Sequence, residues 1–316
     1  MMKSRILWTI LICFVLTVNV FCEELPIYSA LRILNPPQID GVLDDECWIE
    51  SEKAEPFVAI GGKAVDVTTI TMLCWDDRNL YIGFICKEPS MEFIKQRIKQ
   101  RKIVGFGESI EVFLDTNYDR STYKQLRVGI TGERDSYSGS DPCPEIDDKW
   151  FAAVHLDKDQ WTVEMAIPFE LLSRTPQMPN ILWGLNLNRS SNRRTVGKWT
   201  CWSDTKGAFA TPTRFGRLVF ADYSLWLRYY YTVRTGDLMK QIAEEVMLYP
   251  NAGKCFMPEL NLLDKKWLEF LEAVSSASPD TGAKCKKIIP QGEMLVKEYE
   301  QLSYRLRLMI IEIEFR

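Results

Sequence analysis

Eight short segments between Val67 and Phe220 place β-branched or aromatic residues next to polar ones, and Gly, Asp, Asn and Pro punctuate the gaps. They are Val67–Trp75, Leu80–Cys86, Ser109–Asp115, Gln125–Thr131, Phe151–Leu156, Trp161–Ile167, Ile181–Asn188 and Arg217–Phe220. A period near two puts successive side chains on opposite faces of a strand. Strands so spaced and so punctuated predict a mainly β fold, an antiparallel, jelly-roll-like β-sandwich. Asp76-Asp77-Arg78-Asn79 between the first two segments predicts a hairpin with a four-residue loop. Beyond Asp222 the texture changes. Leu238–Leu248, Leu260–Val274 and Glu293–Ile313 carry apolar residues at helical spacing, which predicts a small α-helical C-terminal region. The chain divides accordingly into 1–22, 23–221 and 222–316.

The first of these reads as a signal peptide. Lys3 and Arg5 precede an apolar run from Ile6 to Phe21 that is too short for a membrane span. Val20 and Cys22 fit the −3 and −1 positions of a cleavage site; a lipidated Cys22 is the rival. The mature protein is therefore expected to be secreted, periplasmic or extracellular, with no integral membrane span. With 39 basic and 43 acidic side chains the net charge is −4, which argues against a nucleic-acid partner. The basic run Lys95–Lys102 (KQRIKQRK) reads as a solvated surface segment. His155 is the only histidine, so bis-His ligation of a metal or haem is excluded. No CxxC occurs, so zinc is not indicated.

Alternation also sorts side chains by face. In Ser109–Asp115 it sends Ile110, Val112 and Leu114 inward and Glu111 outward. In Gln125–Thr131, Arg127 lies outside. In Trp161–Ile167, Glu164 does, and in Ile181–Asn188, Asn186 and Asn188 do. If these strands share a sheet, carboxylates, a guanidinium and amides converge on one face, and such groups grip pairs of hydroxyls. The plainer alternative is a solvated face with cross-strand pairs such as Glu111–Arg127. Indole rings offer flat apolar platforms to sugar C–H groups. Trp75 lies beside the hairpin loop, and Trp199 and Trp202 lie in the Gly- and Ser-containing stretch 197–207. These three are the stacking candidates.

The order of motifs resembles the family 9 carbohydrate-binding modules. Ile39–Trp48 (IDGVLDDECW) is similar to their opening IDG–LDD–W pattern. Leu73–Phe84 (LCWDDRNLYIGF), Glu108–Asp115 (ESIEVFLD), Trp161–Leu172 (WTVEMAIPFELL), Asn186–Arg189, Trp202-Ser203 and Phe215–Leu218 (FGRL) match further elements in sequence. The resemblance covers roughly residues 27–221. It implies a non-catalytic sandwich that binds sugar chains, of the kind joined to xylan- or cellulose-degrading enzymes. It places Glu111, Glu164 and Arg189 on recurrent motif positions and makes Trp75 and Trp202 the nearest matches to a pair of tryptophans that clamps a terminal sugar. In some members a structural calcium supports the fold, but Gly107 and Glu108 replace the usual acidic pair here. No other cofactor is implied.

Three other readings follow from the residues. Glu111 and Glu164 could form a glycosidase pair, which needs carboxylates about 5 Å or about 6.5–9.5 Å apart. His155 could ligate haem. The C-terminal helices could dock a protein partner on an envelope interaction protein, with the sandwich as scaffold.

Overall fold

The computed structural model describes residues 25–102, 106–176, 181–191, 198–221, 223–276 and 282–315. The leader read at 1–22 lies outside the described residues. Fourteen strands form two sheets. The larger is built from β1 (Ile27–Ser29), β3 (Val58–Ala59), β6 (Ser109–Asp115), β7 (Lys124–Gly129), β8 (Arg134–Ser138), β9 (Asp141–Pro142), β12 (Leu182–Ser190), β13 (Trp199–Cys201) and β14 (Gly216–Val219). Its order is β1-β14-β12-β6-β7-β8-β9, with β13 pairing to β12 and β3 at the other end of β12 from β14. The smaller comprises β2 (Leu31–Arg32), β4 (Thr69–Trp75), β5 (Asn79–Lys87), β10 (Phe151–Leu156) and β11 (Gln160–Pro168), in the order β10-β11-β5-β4-β2. All pairings are antiparallel except β1 with β14 and β2 with β4, which are parallel, so the expected antiparallel arrangement gives way at two short strands.

Alternation builds the core. Ile110, Val112 and Leu114 of β6, Leu126 and Val128 of β7, and Trp183, Leu185 and Leu187 of β12 meet Leu73, Ile82, Phe84, Val163 and Met165 of the smaller sheet in one buried cluster. The two sheets thus pack face to face as a sandwich. The β4–β5 turn is closed by the Asp76 carboxylate, whose Oδ1 accepts from the backbone N–H of Arg78 and Asn79, both at 2.7 Å. This is the local bond that makes Asp a turn residue.

The outer face of the smaller sheet is capped by a short helix, α1 (Glu46–Glu50). Its Trp48 lies over Gly83, where a Cβ would come within 3.3 Å of the indole and 2.6 Å of Leu43. A second helix, α2 (Met91–Lys99), carries the first part of the basic run. It buries Met91 and Ile94 and leaves Lys99, Gln100, Arg101 and Lys102 exposed.

The helical region is not small. α3 (Tyr223–Leu248), α4 (Pro250–Ser276) and α5 (Gly282–Glu314) span 26, 27 and 33 residues, so helices hold more of the described chain than strands do. The mainly β expectation therefore holds only as a β-rich, two-sheet body followed by helices. Each helix also begins earlier than its apolar spacing predicts. α4 and α5 continue through Pro258 and Pro290, residues that disfavour helix interiors. Tertiary packing overrides local propensity there. Trp226, Leu227 and Tyr231 of α3, Trp267 and Phe270 of α4, and Ile288, Ile289 and Val296 of α5 pack with Ile27, Ile181 and Val219 at the edge of the larger sheet. Arg217 of β14 reaches Glu293 of α5 at 3.4 Å, and Arg234 of α3 meets the same carboxylate at 3.1 Å. No described helix is long and apolar enough to cross a membrane.

The helices therefore cover a strand edge that is apolar in its own right. A chain ending at Ala221 leaves Ile27, Ile181 and Val219 bare and deprives Arg217 of its carboxylate. It is expected to unfold at a lower urea concentration than the full chain, followed by near-ultraviolet circular dichroism; an unchanged midpoint would show that the helices contribute nothing to the sandwich.

Candidate functional site

The outer face of the larger sheet holds a row of polar residues fixed by strand register. Asp135 of β8 lies opposite Arg127 of β7, which lies opposite Glu111 of β6. Glu111 lies opposite Asn188 of β12, and Asn188 opposite Cys201 of β13. One step along, Ser190 pairs with Trp199, so Trp199 shares this face at its end. With neighbouring strands about 4.8 Å apart, the row from Asp135 to Cys201 is about 19 Å long.

Each member is held from beside it. The Glu111 carboxylate accepts from Gln125 Nε2 at 2.7 Å and from Ser190 Oγ at 3.1 Å. Burial pushes the Glu111 carboxyl above the usual glutamate range, against the opposing pull of Arg127, Ser190 and Gln125. The Arg127 guanidinium does not close on Glu111. It donates through Nε to Asp135 Oδ1 at 3.0 Å and through a second nitrogen to Asp135 Oδ2, with Tyr137 Oη at 3.4 Å. The Phe106 ring lies 3.8 Å from the guanidinium carbon, a cation–π contact. Asn186 is spoken for: its amide exchanges hydrogen bonds with the Ser203 backbone at 3.0 and 3.2 Å and so fixes the chain after β13. That chain is tied to the β3 end by Asp204, which accepts from Gly61 N–H at 2.8 Å. Gly61 has a φ of +94° and Gly62 of +80°, the left-handed region that glycine tolerates.

Asn188 differs from all of these. It is 0% exposed, and neither its Oδ1 nor its Nδ2 has a hydrogen-bond partner. Buried amides in native proteins are almost always paired, because leaving one unpaired is costly. Here an acceptor and a donor stand ready in mid-row, between Glu111 and the β13 strand that carries Trp199. The Trp199 indole is 50% exposed, with Lys198 Nζ 4.5 Å from its centre.

The sequence-predicted residues thus divide. Glu111, Arg127, Asn186, Asn188 and Trp199 share one face; Trp75, Glu164, Arg189 and Trp202 do not. Glu164 belongs to β11 and lies on the outer face of the other sheet. Its carboxylate is buried and accepts from Trp48 Nε1 at 2.8 Å, from Gly41 N–H at 2.7 Å and from Asp40 N–H at 2.9 Å. It locks the opening IDG turn and α1 onto the smaller sheet. Arg189 has the same strand parity as Leu185 and Leu187, so it points inward, where it pairs with Glu88 at 3.1 Å and donates to the Lys87 carbonyl at 2.9 Å. Trp75 donates to the Ala30 carbonyl at 3.2 Å and meets Phe169 and Phe220 edge-on. Trp202 is buried against Tyr28, seated over Gly216, where a Cβ would come within 2.6 Å of the indole. Trp202 is thus a core ring, while Trp75 is half-buried at the other sheet, with the Arg32 guanidinium 5.5 Å from its ring centre.

The same geometry separates the proposed glycosidase pair. Glu111 and Glu164 sit on opposite outer faces of a sandwich whose sheets stack about 10 Å apart, beyond the spacing that glycoside cleavage uses. His155 is exposed on β10 at the end of the smaller sheet. Before β6, Gly107 offers no side-chain ligand and Glu108 is buried. Among the described residues no group of three or more His, Cys, Asp or Glu side chains is placed to hold a metal ion.

Phe106, Gln125, Asp135, Tyr137 and Ser190 complete the face and were missing from the sequence-predicted set. Strand parity marks Gln125, since it shares a face with Arg127, and Ser190 continues the parity of Asn186 and Asn188. Nothing comparable marks Phe106, which lies outside any strand.

Comparison with known proteins gives consistent findings. The family described as carbohydrate family 9 binding domain-like matches residues 39–222. The chain is 28% identical over 191 residues to endo-1,4-beta-xylanase A of Thermotoga maritima, covering 58% of this chain and 17% of the relative. It is 30% identical over 199 residues to endo-1,4-beta-xylanase A of Thermoanaerobacterium saccharolyticum, covering 60% and 16%. The chain thus spans less than a fifth of the length of these relatives. Among solved structures it is similar to a family 9 carbohydrate-binding module from Caldicellulosiruptor kristjanssonii in complex with cellotriose, with a TM-score of 0.45 and 20% identity over 62% of this chain and 92% of that one.

Because Glu164 serves three donors at once, Glu164→Gln leaves at least one buried N–H without an acceptor. It is expected to lower stability by about 2–3 kcal/mol in urea unfolding while leaving the larger-sheet face untouched. A loss below about 0.5 kcal/mol, the range of ordinary surface changes, would refute the locking role.

Proposed function

The chain belongs to the carbohydrate family 9 binding domain-like family, and from that premise we propose that the outer face of its larger sheet binds a sugar chain without catalysis. The observation that carries this is Asn188, whose buried amide has no partner among the described residues. A sugar presents paired hydroxyls, each both donor and acceptor. An amide that offers one acceptor and two donors matches such a pair. Glu111 beside it supplies a carboxylate acceptor, and Arg127, pinned by Asp135 and stacked on Phe106, supplies a fixed cation. Trp199 supplies the apolar platform for a pyranose face.

The relatives are named as xylanases, which places xylan first among the polymers to try and cellulose second. The leader read at 1–22 supports export. The division into a binding sandwich at 23–221 and a helical unit at 222–316 is part of the same reading. Binding is expected to be modest, since Trp199 is the one exposed ring of the set and few atoms are buried per sugar ring.

Affinity electrophoresis in gels containing xylan or a soluble cellulose derivative tests the assignment. Asn188→Ala and Trp199→Ala are each expected to weaken retention about tenfold, equal to about 1.4 kcal/mol. Trp202→Phe and Trp75→Phe should leave retention intact. Full retention in both of the first two variants would overturn the site. Binding should also depend on pH. Burial raises the Glu111 pKa, so the carboxylate takes up its proton at a higher pH than an ordinary glutamate does. Retention should therefore fall on acidification while exposed glutamates are still ionised. Glu111→Gln, which does not titrate, should be weak at every pH; a Gln variant that keeps the wild-type pH profile would remove Glu111 from the site.

A further inference from the structure

α5 carries two apolar seams. At 100° per residue, Leu295, Tyr299, Leu302, Leu306 and Ile310 fall on one side, and all are buried within the helical region. Tyr304, Leu308, Ile311 and Phe315 fall in an arc of about 60° on the opposite side. These four expose between 44% and 86% of their surface. Their spacing of four, three and four residues is that of the a and d positions of a coiled coil. Charges flank the stripe in an ordered way: Arg305 and Arg307 border its first half, Glu312 and Glu314 its second.

We propose that a second copy of this chain docks on this stripe, with the two α5 helices antiparallel. A pairing centred between Leu308 and Ile311 sets Tyr304 against Phe315 and Leu308 against Ile311 of the second copy. It also brings Arg305 to Glu312 and Arg307 to Glu314, four complementary contacts by symmetry. A parallel pairing instead sets Lys297, which continues the seam one heptad earlier, against its own copy. Arg305 already meets Glu259, and Arg307 Nε lies 2.7 Å from Glu245. The Arg305–Glu259 pair is exposed and rearranges or is shared at little cost, and the Arg307 side chain, half-exposed beside the more covered Glu245, keeps donors free for a second carboxylate. The Tyr249 hydroxyl donates to Glu314, which places the end of α3, with exposed Met247 and Leu248, beside the end of the stripe. Four side chains per copy cover less than the roughly 800 Å² per partner of a standard interface, so the dimer is weak and depends on concentration. The inference rests on the helical region alone and is independent of the sugar-binding reading.

Sedimentation velocity on the full chain, from about 5 to about 500 µM, tests it. The weight-average coefficient is expected to rise towards that of a dimer. Leu308→Glu combined with Ile311→Glu, both at exposed positions, should keep the protein monomeric with an unchanged circular dichroism spectrum. Arg305→Glu with Arg307→Glu should weaken association at least tenfold, and adding Glu312→Arg and Glu314→Arg should restore it. A wild-type chain that stays monomeric over the whole range overturns the proposal. So does association that persists in the Leu308→Glu, Ile311→Glu variant. A monomer that co-sediments with phosphatidylcholine–phosphatidylglycerol vesicles through the same stripe would make it a membrane contact and also overturn the proposal.

Discussion

A polar side chain taken out of water needs a partner, and that constraint decides what each outward-facing residue of this sandwich does. The central strands are covered on both sides: every residue of β6 is buried. The polar residues that alternation sends outward are therefore not bathed in solvent. Glu164 finds three donors in the IDG turn and Trp48. Asn186 finds the Ser203 backbone, and Glu111 finds Gln125 and Ser190. Arg189, sent inward instead, finds Glu88 and a carbonyl. Asn188 is the member of this set that finds no partner among the described residues. Glu164 and Asn186, bonded to backbone and indole N–H groups, thus hold the fold together, while an unsatisfied amide amid polar neighbours is the feature on which the proposed binding face rests.

The same constraint explains why the family's recurrent residues need not touch a ligand. Asp40, Gly41 and Trp48 lie more than a hundred residues from Glu164 in sequence yet meet around its carboxylate. Gly41 has a φ of +90°, and a Cβ there would come within 2.8 Å of the β10 backbone. No other residue fits that turn without strain. The opening motif is thus a fastening between the chain's first segment and the smaller sheet. Its chemistry resembles that of a binding site, a carboxylate beside an indole, but its partners are the protein's own backbone.

Much of the fold was legible because alternation is a local property. All eight segments read as strands are strands, and Asp76 closes the turn expected of it. The pairing of strands into sheets is not local, and the site depends on that. Glu111 and Glu164 each sit between inward apolar residues in the middle of a strand, and no pattern says that one strand joins the larger sheet and the other the smaller. Arg189 was legible in principle, since it shares the parity of Trp183, Leu185 and Leu187. The tryptophans were harder. Trp202 follows a short strand in a Gly- and Ser-containing stretch, and it is seated over Gly216, where a Cβ would come within 2.6 Å of its ring. Asp135 and Tyr137 lie on a strand of Arg, Asp and Ser that lacks an apolar rhythm. The helices were under-read for a related reason: their extra turns contain Tyr, Gly and Pro and are held by the sandwich edge rather than by helix propensity.

That edge also links the two halves of the molecule energetically. Arg217 leaves β14 to meet Glu293 of α5 beside Tyr118, whose hydroxyl lies 3.1 Å from its Nε, and Ile27, Ile181 and Val219 share a core with three helices. Such a junction is apolar and ion-paired, so the helices pack on the sheet edge instead of trailing from it. A packed junction has a consequence for the proposed sugar-binding face. Any contact between helices of two copies would hold two such faces at a defined separation. A polymer bound to one would then meet the other at high effective concentration, and affinity would rise without any new contact to the sugar. Flexible tethering would spread that concentration over a larger volume, so the Arg217 junction bears on the proposed binding although it lies at the opposite end of β12 from Trp199.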